Sequence, residues 1–415
     1  MEILVTPHIF ISIVRRRFVM ATTCIIAAAS MTQPAAAQFD GGADTPRNPV
    51  SVVLGADISQ DSNLFRQPSS AQRTSDTITI AYVGLRLDKQ LSLQRFQLDV
   101  TETTRSYAKT SYLDFESLDY RGAWLWQVGS RLSGTLSADR KEALVPFEDA
   151  LNPGNPTRNI SVSENRAFNL DALVFADWHL LAGVSQSSQS SDVSIQIQPD
   201  FEAVSHEAGI RYGAPSGSSI SVIRRSTTGD YLNQSSSLLL GTGYKQEETE
   251  LRIGWIATGK SNLSGRLTWL ERTQNGAAQR NFSGVAGELI YALAATGKLK
   301  VNFIAKRDLA PFQDTSGSYI VSNTLSVGPT LRITDRTVAR LLLAHITSSF
   351  EGVTSGPMTG PRRSDTLNMI EVGADWSPAN RLIFGLSLLR QARDSTVPAF
   401  AFENTILRIT AAYRF

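Results

Sequence analysis

The chain ends Asn404-Thr405-Ile406-Leu407-Arg408-Ile409-Thr410-Ala411-Ala412-Tyr413-Arg414-Phe415. Leu407, Ile409, Ala411, Tyr413 and Phe415 occupy every second position, so an extended backbone carries all five on one face. A helix would scatter them around its circumference. The stretch predicts a strand with one apolar, aromatic face and a polar face opposite.

The same period of two recurs upstream. Leu132, Gly134, Leu136 and Ala138 alternate with Ser133, Thr135, Ser137 and Asp139. Phe96, Leu98 and Val100 alternate with Arg95, Gln97, Asp99 and Thr101. Leu263, Gly265, Leu267 and Trp269 form another apolar face, as do Leu382, Phe384, Leu386 and Leu388. Half-apolar strand segments of about ten residues mark strands that cross a membrane with one side to lipid.

Two kinds of link separate these segments. Short polar ones fall at Asp88-Lys89-Gln90, Gly129-Ser130, Asp177-Trp178, Gly213–Ser218, Thr258-Gly259-Lys260, Thr296-Gly297-Lys298, Thr334-Asp335 and Ser377–Asn380. Longer Gly-, Ser-, Pro- and Asn-rich ones fall near 60–74, 108–112, 146–157, 190–200, 230–241, 275–280, 309–316, 351–363 and 394–400. Short turns at one end and long loops at the other predict an all-β, transmembrane, antiparallel up-and-down barrel. The segments number eighteen, with sixteen as the other even count that 230–257 and 309–330 allow. Tyr413 and Phe415 then read as a terminal signal to barrel-insertion machinery, on the strand that must close the cylinder. Trp124, Trp126, Trp178, Trp255, Trp269 and Trp376 sit near segment ends, as interfacial girdles require.

Composition agrees. Hydrophobic residues make up 42% of 415, and the mean hydropathy is −0.11. After residue 37 no apolar run is long enough for a membrane-spanning helix. Arg15-Arg16-Arg17, the apolar stretch Phe18–Met31 and Ala35-Ala36-Ala37 spell a secretory signal over residues 1–37, with Met20 as an alternative start. A lipoprotein signal at Cys24 competes, but Thr23 is a poor residue before the modified cysteine. Residues 38–48 read as a short periplasmic segment and 49–415 as the barrel, which puts the chain in a bacterial outer membrane, among its lipids. Without the signal the 40 basic and 38 acidic residues become equal in number, since Arg15, Arg16, Arg17 and Glu2 leave. No basic stripe for nucleic acid remains. Cys24 is the one cysteine, so the rest has no thiolate chemistry.

A search for catalysis finds little. His8, His179, His206 and His345 lack metal-ligand spacing, no G-x-S-x-G elbow occurs, and neither metal nor cofactor is expected. His206 beside Glu207 is the nearest thing to a catalytic pair, and the chain reads as a non-enzyme. Charged residues within strands say more. An Arg or Lys facing mid-bilayer costs about 2–4 kcal/mol. Arg95, Asp99, Arg105, Asp139, Lys141, Glu250, Arg252 and Arg266 are therefore expected to line a polar lumen.

Several short strings, in order, resemble a known group. They are Asp61-Ser62-Asn63-Leu64-Phe65-Arg66, Arg73–Ile78, Leu91-Ser92-Leu93-Gln94-Arg95-Phe96, Tyr112–Phe115, Ala138–Glu142, Glu164-Asn165-Arg166 and Trp178–Ser185. Together they resemble the EpsL-type outer-membrane proteins of exopolysaccharide biosynthesis loci, in the β-barrel porin 2 group. The resemblance implies a barrel that helps export or assemble an exopolysaccharide, with polymer and periplasmic export proteins as partners. The residues alone also allow a general porin for small polar solutes, or an outer-membrane enzyme that modifies polymer or lipid.

Overall fold

The computed structural model describes residues 49–147, 156–193, 200–232, 241–314, 317–352 and 362–415. The signal and periplasmic segments expected over 1–48 lie outside the described residues. Eighteen strands follow in order: β1 (Val50–Asp61), β2 (Asp76–Leu91), β3 (Gln94–Tyr107), β4 (Phe115–Val128), β5 (Leu132–Leu144), β6 (Ile160–Phe175), β7 (Trp178–Ser191), β8 (Phe201–Gly213), β9 (Ser219–Tyr231), β10 (Gly243–Thr258), β11 (Ser261–Asn275), β12 (Phe282–Ala294), β13 (Leu299–Asp314), β14 (Gly317–Thr334), β15 (Thr337–Glu351), β16 (Ser364–Ala379), β17 (Leu382–Ser395) and β18 (Phe402–Arg414).

Each strand pairs with its neighbours in sequence, and β1 pairs antiparallel with β18 from Val53↔Arg414 to Asp61↔Ile406. The sheet is therefore a closed cylinder. Closure is the physical requirement here, because an unpaired backbone amide in hydrocarbon costs several kcal/mol.

Eight short turns lie at the end that holds Pro49 and Phe415, and eight longer links and the two-residue β13–β14 link lie at the other. Seven of the turns fall where the turn residues predict them. The first does not: β2 runs through Asp88-Lys89-Gln90 and turns at Ser92-Leu93, with Ser92 at φ 57°. Asp88 is held in the ladder by its ion pair with Arg95 (2.5 Å), so its polarity marks a wall position and not a turn. Over 309–314 the link expected at 309–316 is strand, and 315–316 lie outside the described residues. β13 continues to Asp314 and β14 resumes at Gly317, because Leu309, Ala310, Phe312 and Ile320 are all buried.

Alternation assigns the two faces. Leu54, Val83, Leu136, Phe168, Leu267, Leu325, Val372, Leu386 and Ile409 are exposed, whereas Asp57, Ser59, Thr103, Gln391 and Asn404 on the opposite parity are buried. The exposed set looks out to lipid and the other set looks into the cylinder. All six tryptophans take the outward parity, and five border the short-turn end: Trp124 stacks beside Phe96, Trp126 beside Phe168, and Trp376 beside Phe384. The face assignment makes a direct prediction. Leu136→Arg puts a guanidinium in the outward belt and should cost about 2–4 kcal/mol. Ser137→Arg, one residue later on β5, points inward between Ala123 and Ala167 and should cost far less. Urea unfolding in lipid vesicles, followed by tryptophan fluorescence, checks the contrast.

The long-loop end is not simply open. Leu64 and Phe65, from the link after β1, pack inside against Tyr107, Leu113 and Phe147. Asn63, fully buried, donates its Nδ2 to the carbonyl of Glu403 (3.0 Å) and takes its backbone N–H to Asn404 Oδ1 (3.1 Å), tying this link to β18. Opposite, β12 and β13 part beyond Gly287↔Arg307. There Leu309 meets the inward Leu270 and Phe282, and Tyr319 stacks on Phe282 with centroids 4.8 Å apart. Leu309 and Tyr319 of β13 and β14 thus pack against the inner face of β11 and β12.

Candidate functional site

The inward parity carries the charge. On β2–β5, Arg86 lies opposite Asp99, Asp99 opposite Arg121, and Arg121 opposite Asp139. Sign alternates across four neighbouring strands, which is the arrangement that cross-strand pairing favours. Arg86 donates to Asp99 (2.7 Å). Arg105, nearer the mouth, donates to Ser117 Oγ (2.7 Å) and stacks over Phe115 at 4.9 Å. Lys141 follows Asp139 on the same face of β5.

A second cluster spans β8–β12. Arg225 bridges Glu207 (2.8 Å) and Glu248 (2.7 Å). Glu250 pairs with Arg252. Arg252 stands directly opposite Arg266, which in turn stands opposite Glu288. Two like charges face each other here, which costs energy unless water or an ion screens them. The Nε of Arg266 is buried and has no hydrogen-bond partner among the described residues. Glu250 and Glu288 flank the two arginines on either side.

Toward the short-turn end, Asp171 is gripped by Arg211 (2.7 Å) and by His179 Nδ1 (2.6 Å). Arg211 also lies 3.0 Å from His179 Nδ1, and one ring nitrogen cannot both donate to Asp171 and accept from Arg211. The short carboxylate contact assigns Nδ1 as the donor. At the mouth, arginines lie flat on rings: Arg272 over Tyr244 (3.8 Å), Arg363 over Phe400 (3.6 Å) and Phe350 (4.2 Å), Arg393 over Phe402 (4.7 Å). Such stacking keeps a guanidinium packed where a lysine would stay hydrated.

All eight residues singled out in the sequence, Arg95, Asp99, Arg105, Asp139, Lys141, Glu250, Arg252 and Arg266, fall on the inward parity. The geometry gathers them into two groups, on β3–β5 and on β10–β11. Arg86, Asp88, Arg121, Glu207 and Arg225 belong to the same walls and went unpredicted. Arg121 was within reach, because alternation from Asp119 sets its face. His206 and Glu207 do not form a pair: the imidazole is outward and exposed, while the carboxylate is inward on Arg225. Tyr413 and Phe415 share the outward face, with rings 4.8 Å apart.

A closed eighteen-stranded barrel with an apolar outer belt defines an outer-membrane protein, and this chain is one. No family model matches it, and no curated protein does. Among solved structures it is similar to the outer membrane protein OpdK of Pseudomonas aeruginosa, at 11% identity and a TM-score of 0.46 over 88% of this chain and 99% of that one. It is likewise similar to OccK2 (OpdF) of the same organism in complex with glucuronate (12% identity, TM-score 0.49, 88% and 96% covered). OccAB3 of Acinetobacter baumannii gives 8% identity and a TM-score of 0.48, with 88% and 99% covered.

These proteins are not of the EpsL type, and the resemblance read from the sequence is corrected. The strings that carried it have a simpler origin. Leu91–Phe96 is a strand, turn and strand, and Trp178–Ser185 is a lipid-facing strand, so barrel architecture alone calls for such residues. The expectation of an exopolysaccharide, and of periplasmic export proteins as partners, leaned on that resemblance and goes with it.

Proposed function

We propose that the barrel is a diffusion channel for small polar solutes, with its long loops outside the cell and its short turns and both termini in the periplasm. One observation carries this reading: charged side chains of both signs occupy the inward parity over most of the circumference, while the outward belt is apolar. Water and ions are the natural occupants of such an interior. The mouth clusters narrow the entrance and would set which solutes pass. Arg252 and Arg266, facing each other on the inner wall, are the pair whose charge would bear on passing ions.

The test is reconstitution of the full chain into planar bilayers. Stepwise conductance is expected, and a sealed barrel would overturn the reading. The double variant Arg252→Glu/Arg266→Glu should shift the reversal potential in a salt gradient toward cations, changing the permeability ratio by about threefold or more. An unchanged reversal potential would remove these two residues from the solute path.

A further inference from the structure

The outward face is not apolar along its full height. On β5 the outward residues run Leu132, Gly134, Leu136, Ala138, and then Arg140 and Glu142. On β6, read toward the short-turn end, Glu164 and Arg166 precede Phe168, Leu170 and Ala172. Similar changes occur at Glu102, Gln186, Arg224, Glu247, Glu271, Arg307 and Arg390 on other strands. A polar collar therefore surrounds the barrel above the belt, on the long-loop side. These residues share parity with Leu136, Phe168 and Val184, so they look away from the lumen.

On β5–β8 the collar has a defined shape. Arg140 lies opposite Glu164, Glu164 opposite Ser188, and Ser188 opposite Glu202, which makes one row across four strands. Below it Arg166 lies opposite Gln186, and below that Phe168 lies opposite Val184. Glu164, Arg166, Gln186, Ser188 and Glu202 line a recess of about 140 Å³ with no apolar residue in its wall. Among the described residues Arg166 makes its ion pair with Glu164 (3.3 Å), and most of its side chain is exposed. Arg140 holds Glu142 (2.5 Å) and reaches Glu164 (3.5 Å).

We propose that this recess binds the head group of a phosphorylated glycolipid in the outer leaflet. The inference rests on the orientation given above, with the long loops outside. Continuity with the lipid-facing belt is the first argument. Phe168 and Arg166 are two residues apart on one face, about 7 Å along the strand. An acyl chain lying on Leu136, Phe168 and Val184 delivers its head group to the recess with no gap. The donor set is the second argument. Two carboxylates, a carboxamide and a hydroxyl suit the many O–H groups of a sugar, and the exposed Arg166 guanidinium suits a phosphate. A plain anionic phospholipid carries the phosphate but offers few hydroxyls to Glu164 and Glu202.

The full-length barrel, refolded in detergent, is titrated with purified lipopolysaccharide and separately with phosphatidylglycerol, and binding is read by native mass spectrometry. Lipopolysaccharide should be retained in preference, and Arg166→Ala/Gln186→Ala should weaken its retention by about tenfold. The lumen variant Arg252→Glu serves as control and should retain it fully. Equal retention of both lipids, or no loss in the double variant, overturns the proposal. Heat-modified mobility on gels verifies that each variant is folded. Bilayer conductance is recorded on the same samples, so a sealed barrel that still binds glycolipid counts against the channel reading alone.

Discussion

A chain truncated after Thr405 is expected to fail to assemble. It lacks all nine of the β1–β18 partner positions, which span Ile406–Arg414, and most of the ladder to β17. Two strands would then offer open edges to lipid, and each unpaired amide or carbonyl there costs several kcal/mol. The sum exceeds the entire stability of an ordinary domain. The folded, heat-modifiable band should vanish, with no partial species at lower stability. A milder change, Phe415→Ser, leaves the ladder intact. If Tyr413 and Phe415 are read by insertion machinery, this variant should refold normally in detergent yet accumulate less in cells. Normal accumulation in cells would count against that role.

Replacing Arg225 by leucine should have the largest effect of any single change on the inner wall. Its two carboxylate partners, Glu207 and Glu248, face each other across β9 and are held together by the guanidinium between them. Removing it leaves two partly buried anions at close range, and a loss of about 3 kcal/mol is expected. Adding Glu207→Gln and Glu248→Gln should restore most of that loss, because the repulsion goes and amides can bond to each other. Midpoints of urea unfolding for the single and the triple variant decide the matter. No recovery in the triple variant would mean that Arg225 acts through packing.

Much of this architecture was readable beforehand, and the reason is the solvent. Lipid demands alternation, so Leu136 against Ser137 or Leu386 against Ser387 fixes a face from two adjacent letters. Gly129, Gly213 and Pro378 likewise marked links without any tertiary knowledge. Four features were hidden. Arg225 finds Glu207 18 residues upstream and Glu248 23 residues downstream, and no local pattern shows that three strands align. Asn63 reaches Glu403 across 340 residues, a contact that exists only because the cylinder closes. Arg140 and Arg166 face outward, which the rule against outward charge does not foresee, since it holds only within the hydrocarbon. The mouth arginines were invisible for another reason: stacking on Tyr244 depends on the register of β10 against β11, and stacking on Phe400 on a loop whose course polar composition does not give.

Closure has one more consequence. The amide of Phe415 donates to the carbonyl of Val52 (2.8 Å), so the last residue lies beside the first strand at the same rim. In the wall itself, no strand is first and none is last. A linker of a few residues joining these ends, with a cut at the turn 214–218, would give a circular permutant with identical strand neighbours and new ends on the same rim. Such a molecule separates the geometry that shuts the ring from any address that Tyr413 and Phe415 carry by standing on the strand that finishes it.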